Sequence, residues 1–370
     1  MTPIRDEEMV FSTGDEVEMH AVEDALKSLG ERGQKISTRV MILQGNQPPW
    51  QSSGIAIRRG QPYSLFAHGR IHWSTRHPHL HGGPQFHLWA RVAPGGRAVN
   101  LSAATGTFKA DVDGTVELGI YMGMWADECG NLKSDRNLYA ALHGSISAVI
   151  AVYDDEPSKL LESVINGGVG AVPTPIVAET ARLRRGYKPP GGWHYLHEAG
   201  NASIYTVTDR QIHAHAENDQ GILRKPVSFP LSATTELQWR WRIDEHPSHE
   251  PEDRALSHDY VSIATEFDNG RDLTWIWSSC LVPGTHFQCP VKAWRDRETH
   301  YVVRSAGDTC GKWYAESRNV FLDVTQTMGA APGNITAVWL IVLSTFNHRV
   351  ARASFADISL VDEDSSVTIL

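Results

Sequence analysis

From residue 36 onward the chain is written in short runs whose apolar residues fall at every second position. "STRVMILQG", "GIAIRRGQPYSLFAHGRIHW", "QFHLWARV", "GTFKADVDGTVELGIYM" and "GSISAVIAVY" fill residues 36–153, with Gly, Pro, Asn and Asp between them. Successive side chains of a strand point to opposite faces, so each run offers one apolar row that a second sheet must cover. Many such runs, regularly punctuated by turn residues, predict an antiparallel sandwich. The pattern returns between 192 and 360 in "ASIYTV", "QIHAHAE", "TELQWRWRI", "HDYVSIATEFD", "RDLTWIWSS", "THYVVRSA", "AVWLIVLSTF" and "RASFADISLV". The expected fold class is all-β with minor helices: two antiparallel β-sandwich or jelly-roll domains joined by a partly helical linker.

Three stretches break the pattern. "DEVEMHAVEDALKSLG" (15–30) spaces Val17, Val22, Ala25, Leu26 and Leu29 for one helix face and ends at Gly30, so a helix is expected to cover a sheet. Residues 156–190 mix "PSKLLESVIN" and "IVAETARLRRG" with the breakers "GGVGAVPTP" and "KPPGG". The glycines of "GGVGAV" make no dinucleotide loop, since no strand feeds them and no GxGxxG follows. "RNVFLDVTQTMG" predicts a helix over 319–328. A chain of 370 residues divides naturally into two domains. The expected division is a helical arm (1–35), a first sandwich (36–155), a linker (156–190), a second sandwich holding the active site (191–362) and a fraying acidic tail (363–370).

A net charge of −9 disfavours nucleic acid as a partner, because an acidic surface repels phosphate backbones. No run is long enough to span a membrane, and "MTPIRDEEMVFSTG" has no apolar signal core. Cys129, Cys280, Cys289 and Cys310 form no CxxC pair and read as reduced, mostly buried thiols of a cytoplasmic protein. No P-loop, Rossmann turn or HExxH is present, so no cofactor is expected.

"WQSSGIAIRRGQPYSLFAHGRIHW", "GTVELGIYMGMWADECGN" and "YAALHGSISAVIAVY" together resemble the β-sandwich of calcium-dependent galactophilic bacterial lectins over about the first 155 residues. The resemblance implies a calcium and sugar site just before the final strand. This chain has Ala141, Leu142, His143 and Gly144 there, and calcium wants six to eight oxygens. The fold is therefore expected without the calcium. "WRWRID" (239–244), "HDYVSIATEFDNG" (258–270), "LTWIWSS" (273–279), "ETHYVVRS" (298–305) and "FADISL" (355–360) resemble a bacterial β-sandwich family known as a domain of unknown function. That resemblance implies a fold and no activity, so the site has to be argued from residues.

Alternation sorts those residues into faces. Leu237, Trp239, Trp241 and Ile243 point one way, and Glu236, Gln238, Arg240 and Arg242 the other. Val261, Ile263 and Phe267 share a face with Asp259, opposite Tyr260, Ser262, Ala264 and Glu266. His213, His215 and Glu217 lie together, as do His300 and Arg304. Were these strands neighbours, one sheet would carry a face rich in Arg, His and Glu. That face is either a solvated surface laced with cross-strand ion pairs or a ligand groove. On the groove reading Glu266 is the leading acid/base candidate with Arg240 as its charge partner, and His258, His300 and Asp259 are the further catalytic candidates. Tyr260, Trp275, Trp277, Glu217, His213, His215, Arg304 and His286 would contact ligand. Asn269-Gly270 is a hairpin signal that gives Asp268 and Asp272 turn-end roles. A Cys289–His286 nucleophile pair is an alternative without a positional signature.

"RHPHLHGGPQFH" (76–87) poses a separate question. If extended, it places His77, His79 and His81 on one side at a spacing that suits a borderline metal such as zinc. Its prolines and glycines favour an irregular rim loop instead. The function expected is an enzyme of lyase, isomerase or hydrolase type. It acts on a small, largely uncharged organic or sugar-like molecule by carboxylate and histidine acid–base chemistry in the second sandwich. The alternatives are a carbohydrate- or glycolipid-binding protein without turnover and a structural or assembly protein. A homo-oligomer is compatible with each.

Overall fold

The computed structural model describes residues 13–77, 79–101, 103–122, 125–133, 135–167, 171–185, 189–196 and 204–370. Residues 1–12 of the expected arm, Pro78, residues 168–170 of "GGVGAV" and Gly186, the last residue of "IVAETARLRRG", lie outside them. The chain divides into two units, Met1–Lys188 and Pro189–Leu370.

The first unit runs α1 (Thr13–Glu31), β1 (Ile36–Gln44), β2 (Trp50–Ile57), β3 (Pro62–His72), β4 (His81–Gly82), α2 (Pro84–His87), β5 (Leu88–Ala93), β6 (Val99–Asn100), β7 (Thr105–Lys109), β8 (Gly114–Ile120), β9 (His143–Tyr153), α3 (Pro157–Gly167) and α4 (Thr174–Arg185). One sheet has the order β1-β9-β3-β4 with β7 beside β3, and the other the order β2-β8-β5-β6. Ile146, Ala148, Ile150 and Val152 of β9 enter the core between them. Val149, Ala151 and Tyr153 of the same strand pack with Met19, Val22, Leu26 and Leu29 of α1 and with Leu160, Leu161 and Val164 of α3. A strand covered on both faces must be apolar throughout, which is why "SAVIAVY" does not alternate with polar residues. The segment expected to link the domains thus carries two helices, α3 and α4, that pack with α1. Leu142 is itself a core residue, where a lectin of the resembled family would place an oxygen ligand.

The histidine stretch is not an extended row. The Trp73 amide donates to the Leu80 carbonyl and the Leu80 amide to the His77 carbonyl, closing a turn. The His81 and His72 rings meet with centroids 5.3 Å apart, and those of His77 and His79 meet at 5.8 Å. The three rings expected on one side are split between two pairs because the chain reverses at the turn. After Gly82-Gly83 the chain winds into the single-turn α2, and a proline opens it at no hydrogen-bonding cost. This turn buries His87 fully.

The second unit runs β10 (His194–Tyr195), β11 (Tyr205–Thr208), β12 (Gln211–Glu217), β13 (Gln220–Pro230), β14 (Glu236–Glu245), β15 (Val261–Phe267), β16 (Asp272–Trp277), β17 (His286–Gln288), β18 (Glu298–Arg304), β19 (Tyr314–Asn319), α5 (Val320–Met328), β20 (Asn334–Leu343), β21 (Val350–Val361) and β22 (Ser366–Thr368). A seven-stranded sheet of order β10-β13-β20-β15-β16-β18-β17 faces a six-stranded one of order β11-β12-β21-β14-β19, with β22 beside β21. Trp239, Trp241, Trp275, Trp277 and Phe355 fill the core between the two sheets. Gly270 ends the Asn269-Gly270 turn at φ 76°, a left-handed conformation that favours glycine, and joins β15 to β16 as the dipeptide predicts. One pair departs from the antiparallel expectation: β18 runs parallel to β16. Parallel neighbours require a crossover. Here the chain passes out to the edge strand β17 and returns, inserting β18 between the two. The tail is a second departure. Residues 366–368 pair with β21, and Ile369 packs into the core, so the end does not fray.

Candidate functional site

Register brings the polar residues of the seven-stranded sheet into rows on its outer face. Glu266 of β15 stands opposite Asp272 of β16, and Asp272 stands opposite Glu298 of β18. In the next row on that face Ala264 stands opposite Thr274, and Thr274 opposite His300. Around these rows lie Tyr260, Ile276, Val302, Trp339 and Ile341, with Phe287 and Trp294 against them. The outer face is therefore covered, and polar groups lie buried within an apolar surround.

The inner end of the rows is the densest. His258, Cys289, Glu298 and His300 are all buried, and one ligand-capable atom from each lies within 4.8 Å of the others. The His258 Nδ1–H donates to the Glu252 carbonyl (2.6 Å), which leaves Nε2 facing Cys289 Sγ at 3.4 Å. Glu298 Oε1 accepts from the Tyr260 hydroxyl (3.1 Å) and the Thr274 hydroxyl (3.4 Å). Its other oxygen is 3.4 Å from His300 Nε2. Neither ring nitrogen of His300 has a hydrogen-bond partner among the described residues. The Phe287 ring stacks on His300 at 5.0 Å.

Electrostatics follow from this burial. Burial, and then His300, push His258 down to about 3, so the ring is neutral and its Nε2 carries a lone pair. Burial and Glu298 together raise the Cys289 thiol well out of the reactive range. Glu298 feels the same burial, but its contact with His300 outweighs it and holds its carboxyl below the usual carboxylate range. Asp272 is raised well above the usual carboxylate range, by burial first and Glu298 second. Its Oδ1 accepts from Thr274 (2.9 Å), and Oδ2 has no hydrogen-bond partner among the described residues.

Towards the rim the row ends in ion pairs. Glu266 Oε2 takes the Arg224 Nε–H at 2.6 Å and the Trp339 indole N–H at 3.1 Å, and Arg297 stands 4.0 Å from Oε1. Two segments roof the face. Glu252, fully buried, accepts from the Ser278 hydroxyl and the Ser279 amide. Asp259 accepts from the amides of Phe346 and Asn347, and burial raises its carboxyl to about 6 despite those bonds.

The structure thus brings His258, Tyr260 and His300 together and separates the other residues expected at one site. Arg240 is not beside Glu266. It belongs to the six-stranded sheet, where it pairs with Asp357 and stacks on Trp313. His213, bonded to Ser354, lies on that sheet too, with His215 and Glu217 exposed beside it. The face rich in Arg, His and Glu is divided because β12 and β14 join one sheet and β15 and β18 the other. Trp275 and Trp277 are core residues rather than groove walls, and the Trp275 indole donates to Asp323. Arg304 pairs with Glu316 and Asp308. His286 is exposed on β17 and stacks on Tyr301, so Cys289 meets His258 instead. Of the four cysteines expected to be mostly buried, only Cys289 is. Glu298 was not expected at the site, Asp272 was read as a turn end, and Cys289 as a partner of His286. Glu298 shares a face of β18 with His300 two residues on, while Asp272 from β16 and Cys289 from just beyond β17 reach it by pairing across strands.

Residues 192–359 match the family model described as a protein of unknown function (DUF3047). No curated protein matches the chain. Among solved structures, the N-terminal part is similar to a PllA-like lectin, the EclA N-terminal domain, at 13% identity and a TM-score of 0.24 over 30% of this chain and 94% of that one. The xyloglucanase domain of NopAA from Sinorhizobium fredii is similar over 48% of this chain and 95% of its own, at 8% identity and a TM-score of 0.30. A truncated AlyQ with CBM32 and alginate lyase domains is similar over 89% of this chain and 99% of its own, at 8% identity and a TM-score of 0.24. Among the described residues no helix is long and apolar enough to cross a membrane.

Proposed function

We propose that residues 189–370 form an enzyme unit acting on a small, largely uncharged organic or sugar-like molecule by acid–base chemistry of lyase, isomerase or hydrolase type. One observation carries the reading: buried polar atoms without a hydrogen bond gather along a single strip. His300 Nδ1 and Nε2, Asp272 Oδ2 and Ser262 Oγ all lie there, and the nearest charged groups, Glu298 at 3.4 Å from His300 Nε2 and Arg297 at 3.8 Å from Asp272 Oδ2, leave them unsatisfied. Each such atom costs about 1–3 kcal/mol of desolvation, so a face tuned for stability alone would be apolar. A ligand with hydroxyl or carbonyl groups would satisfy them. A charged one would lose its hydration in the same enclosure, at far greater cost. In this reading Glu298 and His300 face the reacting atoms, Tyr260 and Asp272 flank them, and Glu266 anchors the rim.

The test is conversion. The full chain is incubated with a panel of neutral sugars, polyols, lactones and esters, and products are read by mass spectrometry as loss or gain of water or as isomers. At least one compound should be converted. Glu298→Gln should slow that conversion by roughly two to four orders of magnitude while circular dichroism stays native. Binding without conversion would replace this reading with that of a carbohydrate-binding protein. Neither binding nor conversion would leave a structural protein.

A further inference from the structure

We infer that His258, Cys289, Glu298 and His300 together hold a divalent transition-metal ion of the zinc class. The inference rests on the reading above for what the ion serves, and on the four side chains alone for its presence.

The first argument is donor type. Two imidazoles, one thiolate and one carboxylate form an N2SO set, which suits a borderline ion and not calcium or magnesium. Their ligand atoms lie within 4.8 Å of one another. An ion bound at about 2.0–2.3 Å needs tetrahedral donors about 3.3–3.8 Å apart, so the widest pair closes by about 1 Å on binding. His258 and Cys289 are already at 3.4 Å, as are Glu298 and His300.

The second argument is the surrounding shell. A metal-bound histidine usually donates its other ring N–H to a carbonyl or carboxylate, which fixes the tautomer and aims the lone pair. His258 does this through Nδ1 to the Glu252 carbonyl, leaving Nε2 for the ion. Glu298 is oriented by Tyr260 and Thr274 on one oxygen, leaving the other free to ligate. His300 supplies the independent sign of a missing partner. It is 0% exposed and stacked under Phe287, its Nε2 meets only a fellow ligand, Glu298, at 3.4 Å among the described residues, and none of them bonds Nδ1.

The third argument is charge. A thiolate and a carboxylate balance a dication, so the loaded site is neutral overall inside an apolar surround. Loading breaks the Cys289 S–H bond and forms a metal–sulfur bond, and the proton leaves to solvent.

The full chain, purified without chelator, should contain one zinc ion per molecule by elemental mass spectrometry. After stripping with a chelator it should take up Co2+ with a thiolate charge-transfer band and tetrahedral d–d bands. Cys289→Ser should abolish the charge-transfer band and reduce zinc below one equivalent, while Cys280→Ser, at an exposed thiol, should change neither. Tyr260→Phe should keep the ligands and weaken zinc roughly 10- to 100-fold. Natively folded protein that neither contains nor takes up stoichiometric zinc or cobalt would overturn the inference, as would unchanged metal binding in Cys289→Ser. Zinc binding without conversion of any compound would leave the metal site standing and remove the enzyme reading. Conversion by protein that neither contains nor takes up zinc or cobalt would do the reverse.

Discussion

Glu266 stands at the rim of the carboxylate row, where Arg224 and the Trp339 indole share one of its oxygens. Glu266→Gln keeps the shape and removes the charge. With Arg224 27% exposed, water screens part of the loss, so the C-terminal unit should lose about 1–2 kcal/mol in urea unfolding. Zinc content should stay near wild type, because the changed side chain lies outside the metal tetrad. His87 gives the first unit a pH dependence. Its Nε2 accepts from the Trp73 indole at 2.9 Å, and its Nδ1–H donates to the Tyr121 carbonyl at 2.7 Å. Only the neutral ring can accept at Nε2, and burial lowers the group to about 4 from its ordinary 6.5, outweighing the Tyr121 bond, which favours the charged form. The unfolded chain therefore binds the proton first. Stability from this residue is complete above about pH 6.5 and is lost as pH falls towards 4, amounting to about 3 kcal/mol. The midpoint of the first unit's unfolding should fall over that window, and His87→Gln should flatten the dependence.

The strand β22 shows how much rests on a short element. Its pairing to β21 carries Ile369, 5% exposed, into the core of the second unit. Ile369→Ala should cost about 2–4 kcal/mol and raise amide exchange along the neighbouring part of β21. Much at this scale was legible in the sequence. "TELQWRWRI" gave the right inward row of Leu237, Trp239, Trp241 and Ile243, and "HDYVSIATEFD" separated Val261 and Ile263 from Tyr260 and Ala264 as the structure does. A period of two assigns faces within a strand and is silent on which sheet the strand joins. For that reason Arg240 was set beside Glu266, although β14 and β15 lie in opposite sheets. The tetrad was half visible. His258 and His300 stood out as histidines on strands or strand ends. Glu298 lies two residues before His300 on one face of β18, so alternation already offered it, whereas Cys289 joins through the pairing of β17 with β18, which has no periodic signature.

Across the molecule, separate cores make the two units separable in their responses. The main core of the second unit is built between Trp193 and Ile369, within a unit of ordinary domain size. Residues 189–370 expressed alone should fold, with a strand-dominated far-UV spectrum and one cooperative thermal transition. A core completed by first-unit residues would instead yield an unfolded fragment. In the full chain, acid should weaken the first unit through His87, whereas chelation should weaken the second. The insertion of β18 also bears on synthesis. Until the β17–β18 hairpin docks, β16 is an unpaired edge of alternating Leu273, Trp275 and Trp277, and such an edge recruits strands from other chains. Variants that loosen the hairpin will therefore be met first as inclusion bodies, before any defect in the native protein can be measured.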